Sequence, residues 1–203
     1  MEIYSLKLKS SKNTNIFALS TSVGEVQIHS DIIVKFGLAV GEFDDAKFEL
    51  AKQESDQIIA LNLVTKFLSS SMKTEKQIKD YLYKKEFKPK TINLVVEKLK
   101  EYKLVDDKIF ANYYIKSNPN FSANKLKQKL FLFGVSKNIV EEVLQDFDDF
   151  EGCQKSATKF LKNKILDQKT KEKLIRHLMS KGYNWNEINK VLNNLNFETE
   201  YYE

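Results

Sequence analysis

The sequence predicts a mostly α-helical chain: three tandem three-helix repeats forming an elongated array, preceded by a small N-terminal β-containing extension. Three observations predict this class. Glycine and proline number only 6 and 2 among 203 residues, too few turn formers for a β-sandwich or a doubly wound α/β sheet. From about Asp44 onward, apolar residues recur at helical spacing. Within that helical part, apolar columns return at an interval of about 48 residues.

The elements follow in order. Ile3 to Lys9 alternates apolar and polar residues, which suits a half-buried strand. Asn15 to Ser20 is a second such run, Gly24 marks a turn, and Glu25 to His29 alternates again. Ser30 is the expected cap of a short helix from Asp31 to Phe36, ended by Gly37. Gly41 turns the chain once more, and a long helix is expected between Asp44 and Ser70, with Phe48, Ile58, Ile59, Leu63 and Phe67 at helical spacing. Thr74 and Gln77 have the spacing of a capping box for the next helix. Pro89 fits the first turn of the one after, where its missing N–H costs nothing.

That helix pair recurs. Ile78, Leu126 and Leu174 are 48 residues apart, as are Leu82, Leu130 and Leu178, and Phe87, Val135 and Tyr183. Two further columns run through Ile92, Ile139 and Ile188 and through Val96, Val143 and Leu192, at intervals of 47 and 49. An opening helix precedes each pair, ending near Phe67, then carrying Phe110, Ala111 and Tyr114, then Ala157, Phe160 and Ile165. One copy alone buries too little apolar surface, so such units stack. The expected division is 1–43 for the extension, 44–105, 106–149 and 150–197 for the three repeats, and 198–203 for a C-terminal tail.

Composition narrows the function classes. The 33 basic residues exceed the 28 acidic ones, and only Arg176 among them is arginine. Lysine is a hydrated point charge, whereas arginine makes oriented forks, so anion binding here is expected to be diffuse and salt-sensitive. The charge is uneven: residues 1–59 carry net −3, 60–109 net +5, 110–152 net −1 and 153–203 net +4. The single cysteine, Cys153, cannot form an internal disulfide, and the first residues lack a basic-then-apolar signal. No apolar run is long enough for a membrane span. A cytoplasmic protein without membrane contact is expected.

Catalytic groups are not expected. His29 lies in a strand and His177 in a polar helical column with Tyr81 and Lys129, a column expected to be exposed. Cys153 has no neighbouring nucleophile signature. There is no glycine-rich phosphate loop and no Cys/His set with zinc spacing, so no cofactor and no metal are expected. Asp106 and Asp107 are adjacent, so they do not converge on one side of a helix, and capping is the expected role. Asp146, Asp148, Asp149 and Glu151 lack calcium-loop spacing and fit a solvated turn between repeats, the alternative being an acidic contact for a basic partner.

The lysines carry the remaining signal. Lys169, Lys173 and Arg176 share one helix face, as do Lys125 and Lys129 on the equivalent helix one repeat earlier. Lys125 and Lys173 occupy one repeat column, and Lys84, Lys85, Lys88 and Lys90 cluster at a turn. A solvated charged face explains any one of these. Recurrence in a column fits a basic track for a phosphate backbone.

These segments resemble a known family. The run Leu104-Val105-Asp106-Asp107-Lys108-Ile109-Phe110-Ala111-Asn112-Tyr113-Tyr114 is similar to the "LDD..FA..Y" signature of RecX regulatory proteins. Thr74 to Leu82 resembles the family's "SE.E....L" helix, and Lys125 to Leu130 with Gly134-Val135 resembles its "I...L..KGI" segment. The N-terminal strands resemble the extension of some members. The resemblance implies a curved array of three three-helix repeats. It implies a non-enzymatic regulator that lies in the groove of RecA recombinase filaments. Such a regulator most often inhibits RecA ATP hydrolysis, strand exchange and coprotease activity, within recombination, DNA repair and the SOS response. The implied partners are the RecA filament and, weakly and salt-sensitively, single-stranded DNA; a monomer is expected. Lys84, Lys85, Lys125, Lys129, Lys173 and Arg176 are the candidate contacts. The alternative is a helical-repeat nucleic-acid-binding protein that needs no RecA.

Overall fold

Two-residue alternation near the N-terminus yields a sheet whose faces differ. The computed structural model describes residues 1–10 and 13–195; the expected tail at 198–203 lies outside them. Strands β1 (Glu2–Ser10), β2 (Asn13–Thr21), β3 (Gly24–His29) and β4 (Gly41–Glu42) form one antiparallel sheet in the order β3-β2-β1-β4. The registers Leu6↔Leu19↔Val26 and Leu8↔Phe17↔Ile28 line the apolar residues up in rows on one face. Ser5↔Ser20↔Glu25 and Lys7↔Ala18↔Gln27 form rows on the other. Two residues of β4 escape a periodicity argument, and Gly41 proves to be strand rather than only turn.

Helix α1 (Ser30–Phe36) is capped by His29, not by the expected Ser30. The His29 backbone is still extended, its Nδ1 accepts from the Asp31 N–H at 3.3 Å, and its own N–H donates to Ser55 Oγ at 2.8 Å. Gly37 ends the helix in the left-handed conformation, as expected. Helix α2 (Asp45–Leu68) is capped by Asp44 through Lys47 N–H and runs the length its apolar spacing predicts. Ile3, Leu19, Ile28, Ile32, Leu38, Phe48 and Ala51 form the core where α1 and α2 cover the sheet.

The remaining described helices are α3 (Glu75–Tyr83), α4 (Pro89–Glu101), α5 (Asp107–Ser117), α6 (Ala123–Leu132), α7 (Lys137–Leu144), α8 (Asp149–Leu161), α9 (Gln168–Ser180) and α10 (Trp185–Asn193). Pro89 opens α4 at its first turn. Helix α9 begins at Gln168, after Asp167, which caps it by accepting from Thr170 N–H at 2.7 Å. Helix α8 begins at Asp149, so the sequence-based boundary between 149 and 150 falls in its first turn.

The chain divides into two compact units: residues 1–73 with 77–105, and residues 74–76 with the described residues from 106 onward. In the first, Ala60, Val64, Ile78, Leu82, Ile92, Val96 and Leu99 build a second core. In the other, Phe110, Ala111, Leu130, Val135 and Val140 build one core, and Cys153, Ala157, Leu174, Leu178, Tyr183, Ile188 and Leu192 build another. The columns at 78/126/174 and 82/130/178 are completely buried in all three copies. The Ile92 column needs a correction. Val140 is fully buried and stands 48 residues from both Ile92 and Ile188, whereas Ile139 is only half-buried. Leu144 stands 48 residues from both Val96 and Leu192, and it and Val143 are both half-buried against the same core.

Candidate functional site

The six candidate cations fall in two places. Lys84 and Lys85 occupy the turn between α3 and α4 in the first unit, both exposed, with the Lys85 ammonium 5.9 Å from the centre of the Tyr81 ring. Their sequence neighbours do something else. Lys88 donates to Glu49 at 2.9 Å and Lys90 to Gln53 Oε1 at 3.3 Å, so both reach back to α2 beside a cavity of about 200 Å³. The hydrogen bond and charge of Glu49 raise the Lys88 pKa.

Lys125, Lys129, Lys173 and Arg176 lie in the second unit. Lys125 and Lys129 are one turn apart on α6 and half-buried; Lys173 and Arg176 are exposed on α9. Lys125 has a structural duty as well. Its N–H donates to the capping Ser122 Oγ at 3.1 Å, and its stem lies against Gly182. A long lysine stem packs while its ammonium remains near water, so this position combines packing with charge. On α9, Lys173 is near enough to Asp167 to help hold that carboxyl below its usual range, after the hydrogen bonds from Thr170.

A recurring set of contacts explains the aspartate pairs. Asp106 caps α5 by accepting from Lys108 and Ile109 N–H at 2.8 and 2.9 Å. Asp107 instead accepts from Glu75 N–H, at the start of α3, at 2.9 Å. The same division returns at the next pair. Asp148 caps α8 through Phe150 N–H at 2.9 Å, and Asp149 accepts from Ala123 N–H, at the start of α6, at 2.6 Å. One aspartate thus serves its own helix and the next serves another. The hydroxyl of Thr74 donates to Phe133 carbonyl at 2.6 Å, and Ser122 N–H donates to Lys181 carbonyl at 3.1 Å, so residues 48 apart meet partners 48 apart. Capping was legible for Asp106; the second role of Asp107 and Asp149 was not. The acidic run at 146–151 is correspondingly more than a solvated turn.

Beside these contacts the backbone comes close. A Cβ on Gly134 would lie 2.3 Å from Lys76 Cδ, and one on Gly182 would lie 2.6 Å from Ser122 Oγ and 2.8 Å from Lys125 Cβ. Both glycines have positive φ, 86° and 92°. The equivalent residue of the first copy, Glu86, also has positive φ, 63°, yet carries a side chain.

Three other singled-out residues are structural. His29 is the buried cap of α1. His177 is half-buried, not exposed as its column suggested: its ring stacks on Phe160 at 4.8 Å and its Nε2 lies 3.2 Å from Ser156 Oγ. Tyr81, in the same column, stacks on Phe67 at 4.4 Å. Tyr81 and His177 thus each face an opening helix, and polar-capped rings suit that half-buried surface. Burial lowers the His177 pKa, and the Lys181 and Lys164 charges lower it further. Cys153 is fully buried, and burial, with the Glu187 and Asp149 charges, pushes its thiol up to about 11. A thiol so placed is not a nucleophile near neutral pH. Among the described residues no group of three or more His, Cys, Asp and Glu is placed to hold a metal ion. No described helix is long and apolar enough to cross a membrane.

These features define a class: a three-helix-repeat protein whose candidate site is a set of lysine-bearing helix faces and one lysine-bearing turn. Residues 60–99 match "RecX, first three-helix domain" and residues 148–192 match "RecX, third three-helix domain". The Regulatory protein RecX of Clostridium tetani is 35% identical over 175 residues, spanning 82% of this chain and 81% of that protein. The Regulatory protein RecX of Streptococcus gordonii is 32% identical over 202 residues, 96% of this chain and 78% of its own. The chain belongs to the RecX family of regulatory proteins. A crystal structure of regulatory protein RecX shares the fold, with a TM-score of 0.63 at 18% identity, covering 95% of this chain and 98% of that one. RecX from Lactobacillus salivarius does so with a TM-score of 0.58 at 21% identity, covering 68% and 96%.

Proposed function

We propose that this chain is a non-enzymatic regulator that binds RecA recombinase filaments in their groove and restrains RecA ATP hydrolysis, strand exchange and coprotease activity. Family membership carries this reading: the 35% identity to a Regulatory protein RecX extends over most of both chains. The contacts we assign are Lys84, Lys85, Lys125, Lys129, Lys173 and Arg176, with single-stranded DNA as a weaker, salt-sensitive partner. Their almost exclusively lysine character favours attraction to phosphates or acidic protein surface over the reading of bases.

Cosedimentation with RecA filaments formed on single-stranded DNA tests the assignment. Lys125→Glu with Lys173→Glu is expected to weaken binding by roughly tenfold or more, as loss of close charge pairs does. Lys47→Glu with Lys66→Glu, two exposed positions of α2, serves as the control. Equal loss in the two double variants overturns the assigned contacts.

A further inference from the structure

We propose that the outer edge of β1, over residues 5–9, is a docking site for an extended acidic segment of another protein, added as a fifth strand. The site is independent of the lysine-bearing helices and of RecA. Three observations point to it.

The first is the unpaired edge. β4 pairs only with Glu2 and Ile3, so from Ser5 onward β1 has β2 as its one strand neighbour among the described residues. The opposite edge of the sheet differs, since α2 covers the end of β3 and Ser55 takes the His29 N–H. An open edge offers a row of main-chain donors and acceptors to an added strand.

The second is the apolar row ending at that edge. In the row Ile28–Phe17–Leu8, Ile28 is fully buried, Phe17 half-buried and Leu8 44% exposed. Leu8 points to the core face but has no neighbour beyond it in the row. A strand beside β1 would extend the row and cover Leu8.

The third is charge. Lys7 and Lys9 alternate with Leu6 and Leu8 and are both exposed. Pairing of β1 with β1 of a second copy would set lysine near lysine across the junction, which is unfavourable. A segment that alternates acidic and apolar residues satisfies both faces, carboxylates toward Lys7 and Lys9 and apolar groups toward Leu6 and Leu8.

The test uses the full chain and two labelled nonapeptides of one composition. One alternates aspartate and valine, starting and ending on aspartate; the other has the same residues in two blocks. Fluorescence anisotropy is expected to show the alternating peptide binding about tenfold tighter, or more. Amide exchange protection is expected over residues 5–9, and Lys7→Glu with Lys9→Glu is expected to reverse the preference toward a lysine–valine alternating peptide. Several results overturn the proposal: no binding, equal binding of the two peptides, protection on α6 or α9 instead of β1, or dimerisation of the chain through β1. None of them bears on RecA regulation.

Discussion

His177 shows how one side chain couples packing to pH. Its ring lies on Phe160, and burial with two nearby ammonium groups disfavours its charged form. The unfolded chain therefore binds a proton more readily than the folded one as pH falls through the ordinary histidine range, about 6.5. Stability is expected to be fully present above that range and to decline below it. His177→Tyr keeps a ring against Phe160, as Tyr81 does against Phe67, and is expected to flatten the change in urea midpoint between pH 7.5 and 5.5. An unchanged slope would assign the titration to other groups. Asp149 is the opposite case, because burial raises its pKa even though Ala123 N–H stabilises its charge. Burial penalises the charged form there, a cost that an uncharged acceptor avoids. Asp149→Asn is expected to be close to neutral in urea unfolding, while Asp149→Ala, which leaves the N–H unpaired, is expected to cost about 1 kcal/mol.

At the scale of elements, the left-handed turn before the Phe87/Val135/Tyr183 column separates conformation from crowding. Positions 86, 134 and 182 all have positive φ, and at Gly134 and Gly182 a Cβ would also meet another segment. Gly182→Ala is expected to destabilise by about 1–3 kcal/mol through overpacking and backbone strain. Glu86→Gly is expected to stabilise by up to about 1 kcal/mol, by relieving backbone strain. Urea midpoints of the two variants check both signs. Helix existence and repeat spacing were legible because buried positions repeat at 3.6 residues and again at 48. Spacing points to Ile139 where the structure buries Val140, because adjacent apolar residues on a short helix match a column equally well. β4 was missed because two residues carry no period. The roles of Asp107 and Asp149 are contacts between segments far apart in the chain, which local spacing does not encode.

At the scale of the whole molecule, the division of charge between positions that pack and positions that are free to bind matters more than the net +5. Lys88 and Lys90 looked equivalent to Lys84 and Lys85 in sequence, yet they are held by Glu49 and Gln53. The proposed contact set is therefore smaller than the basic runs, and binding should lose affinity with added salt in proportion to the phosphates engaged. The most direct measurement of the proposed regulatory role is RecA ATP hydrolysis on single-stranded DNA with this protein added at substoichiometric amounts. The expected result is a fall in rate that excess DNA does not relieve. An unchanged rate, alongside DNA binding by the protein alone, would contradict RecA regulation and leave a nucleic-acid-binding protein with the RecX fold.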